Sequence, residues 1–310
     1  MQINFHGVRG SYPVPGDKTI RYGGNTTCIS ITTEYLNIIV RVIIDMGNGA
    51  ITAGKSVLAN YFAKKEGLKQ TVLFTHLHPD HTQGFPFYAP NFIPGSELHL
   101  MGMKTLKKHI GNVLEQEMLP PTFPIEYKDL KSKRIHYEVK DGQVFYINGY
   151  GVPIIDVGDE DRNNTLSDPV FKIQAMQSYA PSHPQQGAMY YKITEVLSGK
   201  TIACTWDLES HYGGDKRVIA FARGSDVMIH DTQYTDDEYN SEKMIVQGFG
   251  HSTYNMAVEN AKQAEVKQLV CMHYNPAHTD DFLDDFSQKF CLENKDINII
   301  FSKEGMVLGV

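Results

Sequence analysis

A chain of 310 residues with 41% apolar content is long enough to bury a large core, as one big domain or two smaller ones. Its 29 Lys and Arg against 36 Asp and Glu leave a net charge of −7, so no general cationic field draws it to long nucleic acids, and no apolar run approaches the roughly 18 residues of a membrane span. The scattered Cys28, Cys204, Cys271 and Cys291 exclude a disulfide framework, and the N-terminus lacks an export pattern, so a cytoplasmic protein with reduced thiols is expected.

In chain order, short β-branched stretches at 38–44, 71–74, 201–205, 226–229 and 268–272 predict buried strands, each bounded by polar or glycine-containing segments. A potential ligand follows each within a residue or two: Asp45, His76, Asp207, Asp231 and His273. Open α/β sheets place their binding crevices at such strand ends. Helical spacing predicts helices over roughly 55–65, 104–118, 253–266 and 280–290, and the alternation of the two element types predicts a layered α/β fold. No repeat, low-complexity tract or Gly/Ser linker marks a boundary, so residues 1–310 read as one domain. The stretch at roughly 103–168, with Pro120-Pro121, Pro124 and a polar run at 158–168, is expected to be an insertion near the site mouth.

The strongest signal is Thr75-His76-Leu77-His78-Pro79-Asp80-His81. In an extended turn, residues two apart project the same way, so His76 and His78 can grip one ion while Asp80 and His81 turn towards a second. Imidazole and carboxylate donors suit zinc first, with manganese or iron as alternatives. One loop cannot complete two coordination shells. His183, in the constrained turn Ala180-Pro181-Ser182-His183-Pro184, and the strand-end residues Asp207 and His273 are the best-placed further donors. His76, His78 and His183 would hold one metal, Asp80, His81 and His273 the other, with Asp207 bridging. Two divalent ions, two carboxylates and a bridging hydroxide sum to about +1, a better match for a singly charged phosphodiester than for a neutral carbonyl.

The loop His76-Leu77-His78-Pro79-Asp80-His81 resembles the HxHxDH motif of metallo-β-lactamase superfamily hydrolases, and its flanks resemble the ribonuclease Z-like branch. Gly7-Val8-Arg9-Gly10-Ser11, with Pro13, Pro15 and Gly16, is similar to that branch's Gly-rich opening turn, and Gly24-Asn25-Thr26 to its Gly-Asn-Thr element. Ile229-His230-Asp231-Thr232 resembles the segment with an acidic residue after a late strand, where ribonuclease Z itself more often has Glu. Gly250-His251-Ser252-Thr253 resembles the His-Ser-Thr element. The resemblance is tight at 5–30, 71–88, 180–193 and 201–280 and poor across 104–170. It implies a four-layer αββα sandwich, the seven ligands above, Asp45 as a buried brace for the metal loop, and a homodimer. Among the branch's members it is nearest to small-substrate phosphodiesterases, some of which open cyclic nucleotides, because no basic substrate-gripping arm is visible.

The expected function is a dinuclear metal-dependent phosphodiesterase acting on a small nucleotide, with neither a membrane nor a long nucleic acid favoured as partner. A metal-bridging hydroxide would attack phosphorus, and Asp80 would orient it and accept its proton. His251 would protonate the leaving oxygen while Asp231 holds its ring. Ser252 or Thr253, capping the following helix, would set His251 at a helix N-terminus where oxyanions are favoured. Arg9, Ser11 and Ser252 are the candidates for contacting substrate, and His211 for the site mouth. Phe85, Phe87 and Tyr88 suit base stacking or, more commonly, core packing. His6, His99, His109, His136, His230 and His278 lack ligand spacing and read as core or surface residues. The alternatives are a carbonyl hydrolase of lactonase, thioesterase or β-lactamase type, ribonuclease Z-like RNA 3′-end processing, a diiron redox protein, and a metal-retaining binding protein without turnover.

Overall fold

The structure, a computed structural model, describes residues 1–104, 109–155, 168–178 and 187–310. Two mixed sheets face each other. The first holds β1 (Gln2–Gly7), β2 (Cys28–Tyr35), β3 (Ile38–Ile44), β4 (Lys69–Leu73), β5 (Glu97–Gly102) and β6 (Lys133–Glu138) in that order. The second holds β7 (Val144–Asn148), β8 (Pro153–Ile154), β9 (Pro169–Gln177), β10 (Met189–Glu195), β11 (Thr201–Thr205), β12 (Val227–Asp231), β13 (Gln268–Met272) and β14 (Asn298–Phe301), ordered β14-β13-β12-β11-β10-β9-β7-β8. A last strand, β15 (Val307–Gly309), returns to pair with β1 at the edge of the first sheet.

The β-branched strands earn their place by burial on both faces, as parallel strands require. In β3, Val40, Val42 and Ile44 face the core between the sheets, while Ile43 faces the opposite layer. That layer is α1 (Ala50–Phe62), the single turn α2 (Pro79–Thr82) and α3 (Ile110–Glu117), with Ala50, Ala53, Ile110 and Leu114 packed against Ile43, Val72, Leu98 and Leu100. The outer face of the second sheet is covered by α4 (Lys216–Ala222), α6 (Tyr254–Gln263) and α7 (Asp280–Glu293), while the short α5 (Asp236–Tyr239) packs through Tyr239 on Tyr234, Val246 and Met256. The order helix, sheet, sheet, helix is the expected sandwich.

The helix expected at 55–65 starts earlier, at Ala50, because backbone bonds from Ala50 to Gly47 and from Ala53 to Gly49 begin the spiral directly after the turn that follows β3. The helix expected at 104–118 is α3, opened by a reciprocal bond pair between His109 and Asn112; residues 105–108 lie outside the described residues. The stretch at 103–168 contributes α3, the edge strand β6 and the β7–β8 pair, so its described part is built into both sheets; 156–167 lie outside the described residues. Cys28, Cys204, Cys271 and Cys291 are free thiols. Among the described residues no helix is long and apolar enough to cross a membrane.

Candidate metal centre

Parallel pairing of β3 with β4 and of β11, β12 and β13 with one another puts all their C-terminal ends at one rim. Three of the residues that follow these strands sit in the left-handed backbone region: Asp45 at φ 60°, Asp207 at φ 54° and His273 at φ 64°. Non-glycine residues resist that conformation, and its use at three strand ends turns each side chain out of the sheet and into a shared space.

Asp45 is fully buried and organises the first sheet's contribution. Its Oδ1 accepts the Thr75 amide at 2.8 Å, and its Oδ2 accepts the Thr75 hydroxyl at 2.7 Å, the His81 Nδ1–H at 2.8 Å and the Trp206 indole N–H at 2.8 Å. His81 therefore donates through Nδ1 and aims Nε2 at the centre. Because the Thr75 proton goes to Asp45, the 3.2 Å contact between Thr75 Oγ1 and His76 Nδ1 is a bond donated by His76, which likewise leaves its Nε2 as the lone-pair nitrogen. His78 is half-buried, its ring centroid 4.4 Å from that of His76.

Four buried residues, Asp80, His81, Asp207 and His273, bring one potential ligand atom each to within 4.8 Å of one another. Asp207 faces both ways: Oδ1 lies 3.8 Å from His76 Nε2, and Oδ2 lies 3.1 Å from His81 Nε2 and 3.4 Å from His273 Nε2. Asp80 Oδ2 lies 3.2 Å from His81 Nε2 and 3.5 Å from His273 Nε2, and accepts the Ser11 amide at 2.8 Å. Among the described residues, the Nε2 atoms of His81 and His273 are nevertheless buried without a hydrogen-bond partner. Imidazole and carboxylate ligand atoms that converge on one buried space without hydrogen bonds between them are what divalent cations fill, so these residues fit a metal centre. Burial alone would raise the Asp80 carboxyl, but the His81 and His273 rings hold it well below the usual carboxylate range. Gly10 makes the approach possible, since a Cβ there would lie 2.4 Å from the His273 ring.

A second constellation adjoins the first. Asp231 is fully buried, and its Oδ2 meets His251 Nδ1 at 2.9 Å, the Asp207 amide at 3.1 Å and His273 Nδ1 at 3.4 Å. Its Oδ1 accepts the amides of Ser252 and Gln233. The His251 and His273 rings stack with centroids 5.0 Å apart. Asp231 is the last residue of β12 rather than lying beyond it, as the expected strand 226–229 had it.

The structure thus brings His76, His78, Asp80, His81, Asp207 and His273 together, with Asp231 and His251 beside them; His183 lies outside the described residues. Two expected substrate contacts are corrected. Arg9 is fully buried, its guanidinium donating to the carbonyls of Gly23, Asn275 and His278, so it ties loops together beneath the site. Ser252 is also fully buried, bonded to the Leu208 carbonyl and the Ser210 amide, and Thr253 caps α6 instead. Ser11 is exposed but acts through its backbone amide on Asp80. His211 lines a cavity of about 190 Å³ beside Leu208. Phe85 and Tyr88 are core residues. Trp206, which the sequence reading passed over, is the chain's one tryptophan and immediately precedes Asp207; that adjacency was the available signal.

A family model described as a Beta-lactamase superfamily domain matches residues 41–274. The chain is 28% identical to the ribonuclease Z of Thermoplasma acidophilum, over 73% of this chain and 77% of that protein. Among solved structures, the metallo-beta-lactamase fold protein YhfI from Bacillus subtilis superposes with a TM-score of 0.61 at 16% identity, covering 99% of this chain and 98% of that one. The short form of human tRNase Z superposes with a TM-score of 0.59 at 17% identity, covering 100% and 99%. Such identities establish the fold alone. The sequence relatives overturn the expectation of a small-nucleotide substrate with long nucleic acid disfavoured, since they are by name ribonucleases. The physical reason is that net charge sums over the whole chain. Asp45, Asp80, Asp207, Asp231 and Asp280 all count towards −7, with only Arg9, among the described residues, as a buried unpaired cation against them, yet they lie inside the fold, so −7 overstates the negative charge of the surface that a polyanion meets.

Proposed function

The chain belongs to the beta-lactamase superfamily, and on that premise we propose that it is a divalent-metal-dependent hydrolase of phosphodiester bonds in RNA, of the ribonuclease Z kind. The observation that carries this reading is the buried Asp231–His251 pair, 2.9 Å apart, lodged against His273 at the edge of the ligand cluster. The alcohol leaving group of a phosphodiester departs poorly unless protonated, and a carboxylate-held imidazole beside the ligands is placed to supply that proton.

Two divalent cations, zinc in first place, would be held by His76, His78 and Asp207 on one side and by Asp80, His81, His273 and Asp207 on the other, with His183 the further donor taken from the sequence. When bound they supply Lewis acidity at the phosphoryl oxygens and a water activated at neutral pH. The chain's own residues do the rest. Asp45 fixes the ring orientation of His81 directly and of His76 through Thr75. The Ser11 amide holds Asp80 at 2.8 Å and so fixes it as a ligand and orienting group. Asp231 takes the Nδ1–H of His251, so that the imidazolium donates from Nε2 to the leaving oxygen.

The test is cleavage of end-labelled RNA, including a tRNA precursor, by the purified protein before and after chelation, alongside lactones and nitrocefin. Cleavage that disappears with chelation and returns with zinc or manganese is the expected result. Turnover of lactone or nitrocefin with intact RNA would reject the proposal in favour of a carbonyl hydrolase.

A further inference from the structure

We infer that Phe249 is a stacking platform for a nucleobase of the RNA, held beside His251 by the carboxylate of Glu209; this rests on the RNA-hydrolase reading above. The phenyl ring is 59% exposed and belongs to the residue two before His251, so the two Cα atoms are within about 7 Å. A single exposed aromatic needs no explanation by itself. What sets this one apart is that the backbone beneath it is fixed at every amide.

Gly248 N donates to Glu209 Oε1 at 2.6 Å, Phe249 N to the Val246 carbonyl at 3.1 Å, and Gly250 N to Glu209 Oε2 at 2.8 Å. Glu209 Oε1 also accepts the Tyr239 hydroxyl at 2.7 Å. Tyr239 packs with Tyr234, Val246 and Met256 in a small apolar cluster of its own, which seats the turn. Gly248 and Gly250 both have φ 89°, a backbone conformation strained for any residue with a side chain. The ring-bearing residue is therefore set between two positions that favour glycine, and one carboxylate grips the amides on both sides of it.

Glu209 comes two residues after Asp207. The turn that carries Phe249 is thus tied to the strand end that carries a ligand of the centre, and it runs on directly into His251. The Phe249 backbone stands at a constrained offset from both, with little backbone freedom left to lose when something binds the ring. A nucleobase is the partner this arrangement fits. Every base offers a π-face to an exposed ring on a fixed backbone, and because Phe249 lies two residues from His251, a base stacked on it belongs to a nucleotide bound beside the proposed proton donor.

The test is a thermodynamic cycle on the full chain with its metals. Single-turnover kcat/KM is measured on an RNA oligonucleotide and on versions with an abasic ribose at each position flanking the cleaved bond. The proteins are the wild type, Phe249→Ala, Phe249→Trp and Glu209→Ala. Removing the base at one flanking position lowers wild-type kcat/KM about 5- to 100-fold, mostly through KM. Phe249→Ala slows the intact RNA by the same factor and loses nothing further on the abasic one. Phe249→Trp keeps the base effect, and Glu209→Ala loses it with the ring still present. Phe249→Ala slowing intact and abasic RNA equally, or neither, overturns the inference while leaving the RNA-hydrolase reading intact, as does a wild type indifferent to every abasic site. Glu209→Ala with a full base effect overturns the clamp. A wild type that cleaves no RNA overturns both readings together.

Discussion

The rings of His76 and His81 each have one nitrogen that donates and one that faces the centre, and the Asp45 carboxylate decides both assignments. Asp45→Asn places an amide N–H where an acceptor is needed, so metal affinity should fall about 10- to 100-fold, read by competition with a chromophoric chelator. Unchanged affinity would remove Asp45 from its bracing role. His251→Ala should lower kcat on RNA by about 100- to 10,000-fold with metal content unchanged, and loss of metal in that variant would make His251 a ligand instead. Protons enter the account as well. Burial lowers the basicity of His273, but Asp207, Asp80 and Asp231 outweigh it and push the ring up to about 9 in the metal-free chain. His81 is driven upward in the same way, against its burial, by Asp207, Asp80 and Asp45. Both rings carry a proton at pH 7 that a cation must displace, so metal uptake releases protons and affinity rises as pH climbs towards 9. Titration calorimetry in buffers of different ionisation enthalpy reads this release; heats independent of the buffer at pH 7 would contradict it.

Helix α6 begins one residue after the His251-Ser252-Thr253 run, and the Thr253 hydroxyl accepts the Met256 amide at 3.2 Å. Thr253→Ala should cost about 1 kcal/mol, a drop of about 2 °C in melting temperature. A melting curve identical to the wild type would show that the cap contributes nothing. Strand β1 holds a different liability. His6 is buried with Nε2 2.9 Å from Ser30 Oγ, and burial first, then the charge of Arg41, lowers its pKa from 6.5 to about 3. The folded state therefore binds fewer protons than the unfolded one between these values. Its contribution is fully present above pH 6.5 and is lost as pH falls to about 3. His6→Gln removes the titration, so its melting temperature should fall less steeply than that of the wild type across the window; an equal slope would clear His6 of the effect.

The centre is assembled from both sheets, with Asp45 and His76 to His81 from the first and Asp207, Asp231 and His273 from the second. A cation there binds the folded chain and not the scattered residues of the unfolded one. At a free concentration 1,000 times Kd this adds about 4 kcal/mol, on the order of 10 °C in melting temperature for a chain of this size. Scanning calorimetry of the chelated and zinc-loaded protein checks this, and coincident transitions would mean that the cluster holds no ion tightly.

The metal loop was legible because its signal is local: alternate residues of an extended turn share a direction whatever lies around them. The strand-end positions of Asp45, Asp207 and His273 were legible too, because buried strands advertise themselves as β-branched runs that stop abruptly. Arg9 and Ser252 looked like substrate contacts from their motifs and are buried braces, while Glu209 gave no signal until its carboxylate was seen against the amides of Gly248 and Gly250. Those outcomes depend on which strands lie side by side and in what register, as when parallel pairing sets Thr205 opposite His230 and Asp231 opposite Met272. Adjacent residues determine local direction and coordinating chemistry by themselves. Burial, tautomer and partner are decided only once packing has brought distant strand ends to one rim, because each is a property of the surroundings that the fold assembles.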